Sequence, residues 1–190
     1  MKRFGILFCN FLLLFFLLLA NLSCTHTQKN VKNTTGNIIV FETSLGFFEV
    51  KLFPENAPKT VARIKELVSS GFYNGIIFHR VIDEFVIQGG DPTGTGMNGS
   101  GQKIPDEFMN GLKHDKEGVV AMANTGEPES QDSQFYITLG PFTHLDGKYT
   151  VFGQVITGMS IVKKISKVKT GANDKPVTDV KMITVSLENE

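Results

Sequence analysis

Short runs of β-branched and aromatic residues, separated by turn residues, fill the chain from position 38 onward and constrain its fold most. The first two, Ile38 to Thr43 and Phe47 to Phe53, are joined by a Ser-Leu-Gly turn, and apolar and charged residues alternate in the second. This period of two is typical of a half-buried hairpin. Six similar runs follow, at 76–82, 85–88, 119–123, 134–138, 151–156 and 180–187. The pattern predicts about eight strands.

Two segments have helical spacing instead. The first begins near Pro58, a residue suited to a first helical turn, and ends near Gly71, with apolar residues at intervals of three and four between them. The second predicted helix spans about residues 159–168. Closure of a sheet removes its exposed edges, so this mainly β pattern predicts a closed eight-stranded antiparallel β-barrel capped by two α-helices. A two-sheet sandwich is the alternative architecture.

The first 23 residues differ from the rest and are predicted to be a signal peptide. Lys2 and Arg3 precede an apolar stretch from Phe4 to Ala20, which is the order of charged and apolar regions in a secretory signal. Its uninterrupted apolar run, 11–20, is short against the roughly 20 residues that a spanning helix needs. The mature chain is therefore expected to be exported, with an uncleaved anchor as the alternative.

The two cysteines refine this prediction. Cys9 lies in the leader and Cys24 just past it, so removal of the leader leaves no partner for an internal disulfide. The segment ending at Cys24 is similar to the lipobox of bacterial lipoproteins, with the small residue Ser23 before the cysteine, although Asn21 stands where leucine is usual. This resemblance implies that Cys24 is lipidated. The segment from Thr25 to Asn37 is polar and rich in Thr and Asn, which predicts a flexible tether, so that residues 24–37 form a lipidated cysteine and its tether. An incidental cysteine beside an ordinary cleavage site is the alternative.

Several other classes of function are disfavoured by composition and spacing. Lys and Arg number 19 against 19 Asp and Glu, so no nucleic-acid partner is expected. The segment Gly94–Gly99 fits GxGxxG, but no helix signal follows it, which favours a tightly turning surface loop over a dinucleotide site. No metal or other cofactor is expected, because metal-ligand spacing is missing from the histidines at 26, 79, 114 and 144.

Polar residues inside otherwise apolar strands are the remaining signal for chemistry. His79 and Arg80 interrupt the run at 76–82, and Gln88 follows Phe85-Val86-Ile87. Polar groups in such runs need hydrogen-bond partners or a functional purpose. His79 is interpreted as structural, because it points to the opposite face of the strand from its neighbour Arg80.

Five blocks around these residues resemble, in order, the cyclophilins, the cyclosporin-sensitive family of peptidyl-prolyl cis-trans isomerases. The blocks are FHRVI at 78–82, FVIQGGD at 85–91, AMAN at 121–124, SQFYI at 133–137 and LDGK at 145–148, with VFG at 151–153 behind them. The resemblance runs from about residue 38 to 185 and implies an isomerase domain at 38–190. It also implies the family's eight-stranded barrel with two capping helices, in agreement with the strand count.

The resemblance implies a role for individual residues. Arg80 is implied as the catalytic residue, Gln88 contacts substrate and helps to place the arginine, and the backbone N–H of Asn124 holds the substrate carbonyl. The implied substrate-binding residues are Phe85, Val86, Ala123, Gln134, Tyr136, His144, Leu145 and Tyr149. Three of these depart from the best-known members, because Tyr136 replaces phenylalanine, His144 replaces tryptophan and Tyr149 replaces histidine. The first two departures imply weakened cyclosporin binding more than weakened activity.

Together these features predict an exported bacterial lipoprotein that isomerises Xaa-Pro bonds of exported proteins and assists their folding. Its expected partners are proline-containing polypeptides and, through the lipid on Cys24, a membrane facing the periplasm or cell exterior. A monomer is expected, since charge is balanced and no exposed heptad is evident. The alternatives are a membrane-tethered proline-peptide binding module or chaperone with little turnover, and a surface lipoprotein that contacts host or matrix proteins.

Overall fold

Eight strands and two helices organise residues 36–188, the part of the chain that the computed structural model describes. The strands are β1 (Ile38–Thr43), β2 (Gly46–Leu52), β3 (Phe78–Ile82), β4 (Val86–Gly89), β5 (Val119–Met122), β6 (Phe135–Thr138), β7 (Val151–Thr157) and β8 (Met182–Leu187). The helices are α1 (Pro58–Ser69) and α2 (Met159–Ser166). The predicted signal peptide, Cys24 and most of the tether lie outside the described residues. Neither helix within 36–188 has the length and apolar character to span a membrane.

All eight strands belong to one antiparallel sheet, in the order β3-β4-β6-β5-β7-β2-β1-β8. The mainly β prediction is therefore confirmed, with the predicted number of strands and helices. Most predicted boundaries lie within two residues of the observed ones. Two short 3-10 turns, at Thr143–Leu145 and Ala172–Asp174, carried no signal that the sequence analysis recognised.

The sheet curves into an open half-barrel, so the prediction of a closed barrel is wrong. Its edge strands β3 and β8 form no ladder with each other and are linked by an isolated bridge between Ile77 and Lys181. Before β8 the chain bends through the 3-10 turn Ala172–Asp174, which lies beside β3. The segment pairs with the start of β3 only next to the bridge, where the Phe78 N–H donates to the Val180 carbonyl at 3.0 Å, and Pro176 further back has no N–H to extend a ladder. A turn therefore covers this edge where a closed barrel has a paired strand.

The central strands are buried on both faces, and their period of two divides the side chains between two clusters. Phe135 and Ile137 of β6 and Val120 of β5 join the main core. The intervening Tyr136 and Ala121 point to the opposite face and join a smaller cluster. This second cluster forms the floor of the pocket described below.

Helix α1 packs on the main core and is fixed at its start by a distant carboxylate. Ile64 and Leu67 are among its buried side chains. The Glu107 carboxylate accepts hydrogen bonds from the backbone N–H groups of Lys59 at 3.1 Å and Thr60 at 2.8 Å. These N–H groups lack partners within the helix, and a negative charge is favourable at this end. The contact connects α1 to the long loop between β4 and β5.

Candidate active site

A pocket of about 250 Å³ opens above the second cluster. Its floor is apolar, while polar side chains of β3 and β4 stand at one side. Nine residues line it, and all nine are among the site residues that the sequence resemblance implies: Arg80, Phe85, Val86, Gln88, Ala123, Asn124, Tyr136, Leu145 and Tyr149. The fold thus brings together residues that are up to 69 positions apart, from Arg80 to Tyr149 (149 − 80 = 69).

Two of the implied substrate-binding residues do not line this pocket. Gln134 lies beside it and makes hydrogen bonds to Gln88 and to the neighbouring glycine-rich loop. His144 is exposed on the 3-10 turn Thr143–Leu145, and its ring stacks on Phe85 with the centroids 6.3 Å apart. His144 therefore reaches a ligand only from the rim of the pocket.

Arg80 stands at the side of the pocket because of its place in β3. Its neighbour His79 is buried on the other face of the strand, as expected from the strand period. Arg80 is paired in register with Gln88 of β4, and its Nη1 donates to Gln88 Oε1 at 3.3 Å. Its Nε lies 3.6 Å from Oδ2 of Asp174, and 40% of the Arg80 side chain is exposed. A permanently charged donor is thus held next to an apolar floor.

A chain of side-chain amides orients Gln88. Gln88 Nε2 donates to Gln134 Oε1 at 3.0 Å, which leaves Gln88 Oε1 to accept from Arg80. Gln134 Nε2 in turn donates to the carbonyl oxygens of Gly96 at 3.0 Å and Asn98 at 2.7 Å. The direction of each amide is set by the next, so the arginine is connected to the glycine-rich loop through two glutamines.

A buried carboxylate organises that glycine-rich loop. Asp91 has no exposed surface, and its oxygens accept hydrogen bonds of 2.7 to 3.3 Å from backbone N–H groups of four residues of the loop: Thr93, Thr95, Gly96 and Asn98. Burial opposes ionisation, but these bonds and those from threonine hydroxyls outweigh it and lower the pKa of Asp91 to about 2. Gly94 and Gly96 have φ of +64° and +81°, which supports the predicted tight turn. No role for Asp91 was predicted from the sequence, although an acid directly after Gly-Gly is a usable signal.

A second depression of about 190 Å³ lies next to the first. The two share Gln88, Ala123 and Asn124, and the second is also lined by the glycine-rich loop and by Gln134. Met97 of that loop is 85% exposed. The paired depressions suit an extended ligand that occupies both.

A buried network fixes the pocket floor from below. The Tyr136 hydroxyl lies 2.9 Å from His114 Nε2, and His114 Nδ1 lies 3.0 Å from Asp146 Oδ1. Burial lowers the pKa of His114 and outweighs the opposing effect of Asp146, so the ring is neutral at pH 7. Burial also raises the pKa of Tyr136. We therefore assign the proton to Nδ1, with the tyrosine donating to Nε2. No role for His114 was predicted from the sequence.

Asn124 uses its side chain to join two sides of the pocket. Its Nδ2 donates to the carbonyl of Lys148 at 2.9 Å, and its Oδ1 accepts from the N–H of Gly126 at 3.1 Å. The side chain of Asn124, which lines the pocket, is thus occupied by hydrogen bonds within the protein.

Comparison with known proteins identifies this arrangement. The protein-family model described as cyclophilin type peptidyl-prolyl cis-trans isomerase/CLD matches residues 38–187. Peptidyl-prolyl cis-trans isomerase-like 1 of Aspergillus fumigatus is 48% identical over 155 residues, which cover 80% of this chain and 96% of that protein. A crystal structure of a cyclophilin-type isomerase from Cryptosporidium parvum is similar with a TM-score of 0.78 and 32% identity, over 82% of this chain and 99% of that one.

A second crystal structure of the Cryptosporidium parvum protein, in the presence of the dipeptide Ala-Pro, is similar with a TM-score of 0.77 and 32% identity, over 80% of this chain and 99% of that one. Both relatives are eukaryotic, so they do not support the predicted bacterial source. The family match, however, spans all eight strands and the whole pocket. The chain therefore belongs to the cyclophilin-type peptidyl-prolyl cis-trans isomerases and is an enzyme of that family.

Proposed function

We propose that the pocket isomerises Xaa-Pro bonds without forming a covalent intermediate, by binding the twisted amide more tightly than the planar one. The observation that carries this proposal is the Arg80 guanidinium, held by Gln88 beside an apolar floor. The Cryptosporidium relative was crystallised in the presence of Ala-Pro, which supports a proline-containing peptide as the ligand here.

The reaction explains why such a site is sufficient. Rotation of an Xaa-Pro bond has a barrier of roughly 20 kcal/mol because amide resonance must be broken, and uncatalysed exchange takes tens of seconds. In the transition state the proline nitrogen regains a lone pair. A fixed donor aimed at that nitrogen stabilises the twisted amide more than the planar amide, and this difference accelerates exchange.

Each pocket residue has a role in this mechanism that follows from its position. Arg80 supplies the donor, and its planar guanidinium, oriented by Gln88, does so with less mobility than a lysine ammonium. The proline ring occupies the floor around Phe85 and Tyr136, where exclusion of water strengthens the polar contacts. Because the side chain of Asn124 is occupied, its backbone N–H is the group that holds the substrate carbonyl.

The decisive experiment measures catalysed cis-trans exchange of an Xaa-Pro peptide by the purified protein and by its Arg80→Ala variant at equal concentration. We expect strong acceleration by the wild type and a loss of at least tenfold in the folded variant, about 1.4 kcal/mol of transition-state stabilisation. Saturable binding of a proline peptide with the same slow turnover in both proteins contradicts the mechanism and favours the binding-module alternative.

We also propose that the enzyme is exported as a lipoprotein, anchored through Cys24, and acts as a monomer on exported proteins whose folding is limited by proline isomerisation. The support is the composition of residues 1–37, in which a signal-like leader ends at the lipobox-like segment. Mass spectrometry of the mature N-terminus tests the anchor. A diacylated Cys24 is expected, and an unmodified N-terminus elsewhere refutes lipidation.

A further inference from the structure

We infer that Asp174 is a positioning residue for Arg80 and sets the direction in which the guanidinium faces the pocket. This inference rests on the proposed catalytic role of Arg80. Asp174 belongs to the 3-10 turn Ala172–Asp174, which lies beside β3 and outside the five blocks that carry the family resemblance. Its carboxylate Oδ2 lies 3.6 Å from Arg80 Nε.

Two side chains, Gln88 and Asp174, face different nitrogen atoms of the Arg80 guanidinium. Gln88 Oε1 accepts from Nη1 at 3.3 Å, and the Asp174 carboxylate faces Nε. A single contact leaves the guanidinium free to pivot about it. Two contacts on different nitrogens define the orientation of its plane and leave the remaining N–H groups for the pocket.

The turn that carries Asp174 has a left-handed backbone and is attached to the glycine-rich loop. Asn173 and Asp174 have φ of +58° and +57°, two consecutive left-handed residues that are not glycine. Asn and Asp adopt this conformation more readily than other residues with a side chain. The Gly171 N–H donates to the Lys175 carbonyl at 2.8 Å, and Lys175 Nζ donates to the Gly94 carbonyl at 3.2 Å. The turn is thereby attached to the glycine-rich loop with Asp174 facing Arg80.

The location of the pair argues against a role in overall stability. Both side chains are well exposed, 40% for Arg80 and 50% for Asp174. Pairs of this kind contribute little to folding, because solvent screens them. Orientation of a catalytic donor is more sensitive, since a small misplacement of a reacting group slows the reaction substantially. The contact is therefore expected to affect kcat/KM more than the free energy of unfolding.

The test compares kcat/KM for Asp174→Asn with that for a matched control, Asp179→Asn. Asparagine tolerates the left-handed backbone, so the turn is retained. Asp179 is exposed in the same loop, and no hydrogen bond or ion pair of its side chain occurs within residues 36–188, so its substitution makes the same charge change without touching Arg80. We expect kcat/KM to fall about threefold to fivefold for Asp174→Asn and to be unchanged for Asp179→Asn.

A double-mutant cycle distinguishes positioning of Arg80 from a general effect. In an Arg80→Ala background, Asp174→Asn is expected to cause no further loss, because the residue through which it acts is absent. The NMR signal of the Arg80 Nε–H is expected to move in Asp174→Asn while the backbone amide spectrum stays the same. Wild-type kcat/KM in Asp174→Asn, or an equal loss in both backgrounds, overturns the inference. If Arg80→Ala itself retains full activity, the proposed role of Arg80 fails and this inference with it.

Discussion

Removal of one buried hydroxyl, by Tyr136→Phe, tests the network beneath the pocket floor. Tyr136 is 6% exposed and His114 is fully buried, and the hydroxyl lies 2.9 Å from His114 Nε2. Asp146 is bonded to the other ring nitrogen and also accepts from the His114 backbone N–H at 2.7 Å. The substitution therefore leaves Nε2 of the buried His114 ring without its hydrogen-bond donor. At position 136 itself, phenylalanine is the usual residue of the family.

The expected cost follows from that unpaired group. A buried polar atom that loses its partner lowers the free energy of unfolding by about 1 to 3 kcal/mol. The variant no longer has a tyrosine hydroxyl to remove from water on folding, and this offsets part of the cost. We expect the free energy of unfolding to fall by about 1 to 2 kcal/mol, with a decrease in Tm of roughly 2 to 4 °C for each kcal/mol. The direction is the informative part, because the substitution moves the chain towards the residue that is usual in its family.

Urea unfolding followed by far-UV circular dichroism measures this change, with Tyr149→Phe as the matched control. Tyr149 lines the same pocket and its ring packs against Tyr136 at 5.6 Å, but its hydroxyl has no hydrogen bond to any residue within 36–188. The control loses the same atom and is expected to change by less than about 0.5 kcal/mol. Equal stabilities of the two variants refute the assigned hydrogen bond and the tautomer of His114 that follows from it.

Three further predictions concern acid sensitivity, the glycine-rich loop and inhibitor binding. The pKa values of His79 and His114 are lowered chiefly by burial, so below a pH of about 6.5 the unfolded chain binds more protons than the folded chain. The free energy of unfolding should therefore fall there by up to about 1.4 kcal/mol per pH unit for each histidine. A flat stability profile from pH 7.5 to 5.5 contradicts this prediction. Asp91→Asn replaces the carboxylate that holds the glycine-rich loop. It should lower the free energy of unfolding by about 2 kcal/mol or more and should also lower kcat/KM. Urea unfolding and the exchange assay measure these two quantities, and unchanged values of both count against the prediction. His144→Trp restores the residue usual in the family and should tighten cyclosporin inhibition, whereas an unchanged inhibition curve shows that this position does not set the affinity.

The strand pattern was recoverable from the sequence because its cause is local. Alternation of apolar and polar residues in β2 and the helical spacing after Pro58 each reflect one element facing a core, so they predict element type and approximate bounds. Closure of the barrel was mispredicted for a non-local reason. It depends on how far the chain before β8 pairs along β3, and this pairing is confined to the start of β3, where the Phe78 N–H donates to the Val180 carbonyl, while the turn at Ala172–Asp174 lies beside the strand.

The residues of the candidate site were likewise predictable only where their sequence signal is local. The blocks around Arg80, Gln88 and Asn124 are short and contiguous, so a family resemblance marked them, and the structure brings them to one pocket, while their catalytic roles stay predictions. Asp174 and His114 were missed because each acts through a single contact with a residue distant in sequence, Arg80 and Tyr136 respectively. Neither has a local pattern that distinguishes it from a surface acid or an ordinary core histidine.

By itself, the sequence determined the mainly β architecture, the two helices and the family, because periodicity and contiguous blocks are properties of neighbouring residues. The tertiary structure alone decided that the half-barrel is open, that two glutamines connect the glycine-rich loop to Arg80, and that the Asp174 carboxylate lies at its Nε. Hydrogen bonds and ion pairs depend on distances of a few ångströms between atoms. The sequence places residues 80 and 174 far apart, and only the folded sheet brings their side chains into contact.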